Sequence, residues 1–430
     1  MNKSILSILV TLCCLHLSAQ TTPENSGVIN LSLSQAQQYA VEHNYTMQNA
    51  TMELKKAEYN RWQTLASMLP QVKAGFDYQN MCGYEMHMGG FSIPMDPNGT
   101  FSVTASVALT GAQIVGTMLQ DIAGKMTDIS QRQTEQSTRS QVRSVYVSIL
   151  VMQDIVGLLD SSLANMQQLE KTTLESVKAG AAEQIQADKL SVQVASLKAT
   201  INSNRRSLEM LYNSLLLQLG ADVNSRINLT TKLDEVLDIN YLSSLALQDF
   251  NIEQNYTYQL LKQNEQLSKK NITMAWMDFT PTLAAYYQYS NKVYFGDEGM
   301  NMTPPNMIGA NISIPLFSSG TRYAKVQAAK IDYAEALNSK QQAEDGLRVQ
   351  YNQLRFDLAN AIETYQIQKE NLDVSKRVLD NTTEKFKYGH ASNLEVTNAS
   401  TDIITAQSNY IQAVMSVVSA EVALEDLLGK

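Results

Sequence analysis

The chain has 430 residues, 33 Lys plus Arg against 42 Asp plus Glu, and a formal net charge of −9. Nucleic-acid binding needs a basic face, so this balance argues against a nucleic-acid partner. Three cysteines, at 13, 14 and 82, support neither a disulfide framework nor a cysteine-rich zinc site.

The first expected element is a leader. Lys3 precedes the apolar run Ile5 to Leu15, and the small residues Ser18 and Ala19 follow. Residues 1–19 are therefore expected to be a cleaved secretory signal peptide. The run is shorter than the roughly 20 residues of a spanning helix, and no later run reaches that length without interruption, so no spanning helix is expected in the mature chain.

The next element carries a repeat. Val41 to Gln48 reads VEHNYTMQ, and Ile252 to Gln259 reads IEQNYTYQ, 211 residues further on. At the same shift MLPQVKAGFDYQN (68–80) lies on FTPTLAAYYQYSN (279–291). At a shift of 209, ESVKAGAAEQI (175–185) lies on EKFKYGHASNL (384–394), pairing Gly180 with Gly389 and, further on, Gly220 with Gly429. This implies an internal two-fold duplication. Its period is longer than that of solenoid repeats, so each half is a whole architectural unit. The expected layout is a first repeat at 20–220, a polar linker at 221–245 and a second repeat at 246–430, together one domain. Each repeat is expected to hold a helix, a β-hairpin, a long helix and a return helix.

No proline falls between 98 and 280 or after 315, which favours long helices there. Tyr351, Leu358, Tyr365, Leu372, Leu379 and Phe386 are spaced by seven, as are Val142, Ile149, Val156, Leu163, Glu170 and Val177. A sustained heptad means helices packed side by side with a left-handed supercoil. The stretch between Gly320 and Gly389 makes a helix of roughly 100 Å, and the return helix at 391–428 only roughly 60 Å. A second short helix must then sit end to end with it, supplied by 33–69. In the other half, 182–219 and 246–278 do the same.

The proline-marked regions, hairpins at about 70–111 and 281–316, alternate with period two. Val72, Ala74, Phe76 and Tyr78 oppose Lys73, Gly75 and Asp77; Ile308, Ala310, Ile312 and Ile314 oppose Gly309, Asn311 and Ser313. Such strands have one apolar and one polar face. Their lengths suit barrel strands crossing a bilayer, and they equally suit a water-soluble hairpin with one buried face. Four strands cannot close a barrel, since the smallest membrane barrels have about eight, so membrane strands would require several chains in one barrel. The loops 81–100 and 292–306 are polar and turn-rich.

With ISIPLFSSGTRYAKVQAA (312–329) and EKFKYGHASNLEVTNASTDIITAQSNYIQAV (384–414), the chain resembles the TolC-like outer-membrane efflux protein family. The resemblance implies a mainly α fold with transmembrane β. Long antiparallel helical hairpins would form an α-barrel tunnel, and four strands per chain would enter a trimeric 12-stranded outer-membrane β-barrel. It implies a homotrimer in outer-membrane lipid, a periplasmic adaptor (membrane fusion) protein, an inner-membrane pump, and export of small molecules or proteins without chemistry. The adaptor-contact tips would be Lys178, Ala179, Gly180 and Ala181, with Lys387, Tyr388, Gly389 and His390. The periplasmic aperture would carry Glu395, with Asn398 where the family often has Asp. Three Glu395 carboxylates near one axis would make a cation site with raised pKa; a solvated helix-face glutamate is the other reading.

No cofactor is expected, and no catalytic set is legible. The histidines after the leader are His43, His87 and His390, without an HExxH spacing, and neither a P-loop nor a dinucleotide fingerprint occurs. Met81, Cys82, Met86, His87, Met88 and Met95 crowd the first loop, with Met300, Met302 and Met307 at the second. Thioether, thiol and imidazole suit soft ions, so copper or silver efflux is a variant of the duct reading. A soluble periplasmic coiled-coil structural or adaptor protein is the alternative from another class.

Overall fold

The computed structural model describes residues 28–295 and 304–430; the expected leader lies outside the described residues. β1 (Val28–Leu31) leads into α1 (Leu33–His43) and α2 (Tyr45–Ala66). Then come β2 (Gln71–Gln79), β3 (Glu85–Met88), β4 (Phe91–Pro94) and β5 (Asn98–Leu109), followed by α3 (Gly111–Lys178) and α4 (Gln184–Leu219). β6 (Arg226–Leu229), α5 (Leu233–Val236) and α6 (Ile239–Ala246) lead to α7 (Tyr256–Met277), β7 (Thr282–Tyr294) and β8 (Asn306–Ser313). The chain ends with α8 (Thr321–Lys387) and α9 (Asn393–Leu428).

The helix lengths fix the architecture. α3 and α8 have 68 and 67 residues, about 100 Å each at the α-helical rise. α4 and α9 have 36 residues each and α2 and α7 have 22 each. One 36-residue and one 22-residue helix together span most of a long one. α4 pairs with α3 and α9 with α8; α2 packs on α3, α7 on α8, and α3 also packs on α7 and α9. The heptad positions face these contacts: Val142, Ile149, Leu358, Tyr365 and Leu379 are buried. Glu170, the polar member of the series, is half-buried and accepts a hydrogen bond from Ser191 at 2.5 Å.

The repeated octets lie where two short helices meet, and this corrects an expectation. A single helix over 33–69 was anticipated; instead the chain breaks at Asn44, whose ψ of 133° is extended, so α1 and α2 are separate. Asn255 breaks the second copy in the same way. Asn44 Oδ1 accepts from the Thr46 N–H at 2.7 Å, and Asn255 Oδ1 from the Tyr258 N–H at 3.1 Å, capping α2 and α7. Their Nδ2 atoms reach the ends of the return helices: Asn44 donates to Gln218 O at 2.6 Å and Asn255 to Leu427 O at 2.9 Å. Gly220 and Gly429 end those helices in the left-handed region, at φ of 68° and 74°. A Cβ on either would come within 2.3 Å of a carbonyl oxygen, that of His43 or of Gln254.

The segment expected as a polar linker, 221–245, is structured. β6 pairs in parallel with β1, and Leu233, Val236, Leu242 and Leu245 join the main core. Tyr146 is fully buried there; its hydroxyl donates to Leu31 O at 2.9 Å and accepts from the Thr231 N–H at 3.2 Å. By composition one stretch of α3 is apolar enough to cross a bilayer, although no spanning helix was expected; half of it is buried within the fold.

The main sheet has the order β2-β5-β7-β8, antiparallel throughout. Its register puts Val72, Ala105, Tyr287 and Ile308 in one row, and Lys73, Thr104, Gln288 and Met307 in the next. The apolar and polar faces are thus those read from period two. Val72, Phe76, Ile308 and Ile312 on the apolar face are exposed. Among the described residues neither β2 nor β8 has a partner on its outer edge. The first loop, expected as polar and turn-rich, contains the hairpin β3-β4.

Candidate functional site

The two helical hairpins end in the same turn. At the first, the Gly180 N–H donates to Val177 O at 3.0 Å and the Ala181 N–H to Ser176 O at 2.9 Å. At the second, the Gly389 N–H donates to Phe386 O at 3.0 Å and the His390 N–H to Lys385 O at 2.8 Å. Both glycines are left-handed, with φ of 75° and 74°. These bonds satisfy carbonyls that a helix end leaves open. Lys178, Ala179, Gly180, Ala181, Lys387, Tyr388, Gly389 and His390 are all exposed. Lys387 is bound to Glu384 at 3.0 Å, three residues before it.

The helices leaving the tips differ. Glu183, at the N-cap of α4, makes no side-chain cap. α9 starts with a capping box: Ser392 Oγ accepts from the Glu395 N–H, and the Ser392 N–H donates to Glu395 Oε2 at 2.6 Å. The Ser392 hydroxyl also donates to that oxygen, at 2.8 Å. The backbone bond from Ser392, then its hydroxyl, hold the Glu395 carboxyl below the ordinary value. The raised value expected of Glu395 is therefore not a property of the single chain, in which the carboxylate is exposed and hydrogen-bonded.

Glu395 and Asn398 begin an exposed stripe on α9 that continues through Asp402, Thr405, Asn409 and Gln412. Every member is polar. The opposite face, with Val396, Ala399, Ile403 and Ala406, is buried. Asp402 was missed by the sequence reading. It stands seven residues after Glu395, so a heptad count along α9 would have found it.

The described soft-donor residues of the first loop lie in and around the β3-β4 hairpin. Cys82 is exposed at φ 51°, with its N–H on Asn80 Oδ1 at 2.8 Å. Met81, Met86 and His87 are exposed, and strand alternation in β3 sends Met86 and His87 to opposite faces. Met88 ends β3, and Met300 and Met302 lie outside the described residues. Among the described residues no cluster of three or more His, Cys, Asp or Glu could hold a metal.

The fold, an open-edged antiparallel sheet joined to paired helices of about 100 Å, has counterparts among known proteins. Residues 253–430 match the family model described as outer membrane efflux protein. The chain is 22% identical over 466 residues to the outer membrane protein TolC of Salmonella enteritidis, covering 99% of this chain and 86% of that protein. It is 20% identical over 301 residues to the outer membrane efflux protein BepC of Brucella suis, covering 70% of this chain and 64% of that protein. Among solved structures it is similar to the VceC outer membrane protein of Vibrio cholerae, with a TM-score of 0.69 and 13% identity over 92% of this chain and 96% of that one. It is also similar to the open state of the Neisseria gonorrhoeae MtrE outer membrane channel, with a TM-score of 0.72 and 15% identity over 92% of this chain and 88% of that one. The C-terminal part of the chain thus matches the outer membrane efflux protein model, and the chain as a whole is similar to TolC-like outer-membrane proteins in sequence and fold.

Proposed function

We propose that three copies of this chain form a passive exit duct in the outer membrane, a 12-stranded barrel continued by a helical tunnel into the periplasm. The observation that carries this reading is the four-stranded sheet, with one exposed apolar face and two unpaired edges. In the order β2-β5-β7-β8 the two edge strands run in opposite directions. β8 of one copy therefore meets β2 of the next antiparallel, and a cyclic arrangement removes every edge. Residues 1–19 act as the export leader. The matched chemistry of the Asn44–Gly220 and Asn255–Gly429 joints supports an origin by duplication.

Cargo passes without bond-making. The tips at Gly180 and Gly389 engage a periplasmic adaptor protein that couples the duct to an inner-membrane pump. The polar stripe of α9 lines the aqueous path near the tips. Glu395, Asn398 and Asp402 surround its narrow end and favour cations by their negative field.

Planar-bilayer conductance of the mature protein tests this. Native channels should be discrete and cation-selective, and both Glu395→Ala and Asp402→Asn should lower that selectivity. Channels indifferent to both substitutions would remove the aperture from α9. Folded, trimeric protein that never inserts would overturn the duct itself.

A further inference from the structure

α9 is held to α3 by a buried ionic cluster that the duct does not use. The Glu421 side chain is wholly buried, at 0% exposure, and that of Arg143 is 16% exposed. Arg143 Nη2 donates to Glu421 Oε1 at 2.5 Å, and Nη1 to Glu425 Oε2 at 3.3 Å. From α6, the Tyr241 hydroxyl donates to Glu425 Oε1 at 2.6 Å. From α3, Ser140 donates to Asp426 Oδ1 at 2.8 Å. One guanidinium thus faces two carboxyl groups, those of Glu421 and Glu425. Glu421 Oε2 and Arg143 Nε are buried with no hydrogen-bond partner among the described residues.

Such a site is short of one positive charge. An ionised carboxylate buried with one oxygen unpaired is penalised far more than a neutral carboxyl. Glu421 is the most buried of the three acids and the one with the orphaned oxygen, so it is where a proton is held. Further toward the tips a cavity of about 80 Å³, lined by Leu159, Met166, Gln193, Leu379 and Ser400, lies between α3 and α4 on one side and α8 and α9 on the other. The Arg143 cluster is thus a point where the two hairpins are pinned.

We propose that Glu421 is a proton-controlled pin: its protonated carboxyl fixes α9 against α3, and its ionisation loosens that contact. The charged groups acting on it are Arg143 from α3 and Glu425 from α9; the Tyr241 hydroxyl from α6 is bonded to Glu425, and Asp426, five residues on, to Ser140. Burial pushes the Glu421 carboxyl up to about 7, Arg143 opposing and Glu425 adding to the shift. When α9 lifts away the group returns to the ordinary carboxylate value. The pin is therefore strongest below that value, and weakens as pH rises from there through about 7.

Amide hydrogen exchange over 415–428 tests this on the purified full-length mature protein in lipid nanodiscs, comparing the native chain with Glu421→Gln. At about pH 4, below the ordinary carboxylate value, the two should exchange at similar rates; at about pH 8.5 the native segment should exchange more than tenfold faster, since one pKa unit already carries a factor of ten. Equal rates at both values, or a native segment better protected at the alkaline one, would overturn the proposal. Glu425→Gln gives an independent arm. It leaves Arg143 to Glu421 alone, and should move the pH at which protection levels off to a lower value. A levelling point that stays in place would overturn the proposal even if Glu421→Gln does not fold.

Discussion

Alanine at Gly180 and alanine at Gly220 make the same backbone demand in different surroundings. Both positions have φ near 70°, at 75° and 68°. Around Gly180 a Cβ meets open space, whereas at Gly220 it would lie 2.3 Å from His43 O. Gly180→Ala should therefore cost about 1 kcal/mol from backbone strain. Gly220→Ala adds an overlap with backbone and should cost about 3 kcal/mol or more. Thermal melting followed by circular dichroism compares them; equal losses would mean that the joint tolerates a methyl group. The octet was legible as a repeat but not as a joint. Its partner Gly220 lies 176 residues further on, and no local pattern joins Asn44 to Gln218.

At the scale of elements, the start of α9 depends on its capping box. The Glu395 carboxyl is held below its ordinary value by Ser392, so its contribution is present above the unfolded value and lost as pH falls through the lowered one. Limited proteolysis at Tyr388 should accelerate only in strong acid for the native chain, and already at neutral pH for Ser392→Ala. No change at neutral pH would show that the turn holds without the box. Most element boundaries were legible, because prolines, glycines and heptads act locally. The expected span from Gly320 to Gly389 contains α8 as found, Thr321–Lys387. The break at Asn44 was not, since the octet is made of residues a helix accepts. The order in 221–245 was missed for a related reason. Its leucines are spaced too irregularly to declare a period, and they find their partners on distant helices.

On the scale of the molecule, one chain leaves large apolar groups in water along its outer helices. Tyr45, Met52 and Tyr59 on α2 are seven apart and exposed, with Trp62 beside them. A neighbouring copy would cover this stripe, as it would the free sheet edges. Replacing Tyr59 and Trp62 together by serine should weaken association by about 2 kcal/mol or more per interface. The temperature at which trimers fall apart in native gels should drop; an unchanged temperature would place α2 away from the contact. The two-faced strands were legible from alternation alone. Their pairing across the two hairpins, β5 with β7, was not, because register between distant strands is set by the assembled sheet.

The joints between short helices have a consequence for how such ducts can vary in depth. Gln136 on α3 bonds to Lys430 O at 2.8 Å, beside the Gly429 joint, and α3 runs past it unbroken. A seam in one column is thus backed by solid rod in the next, as in staggered brickwork. The stretches on either side of the seam can then be sized separately. Seven residues added to each of α3, α4, α8 and α9 on the tip side would deepen the conduit by about 10 Å. α2, α7 and the four-stranded sheet would need no change. The fold behaves as a ruler with two independent scales, suited to cell envelopes of different thickness.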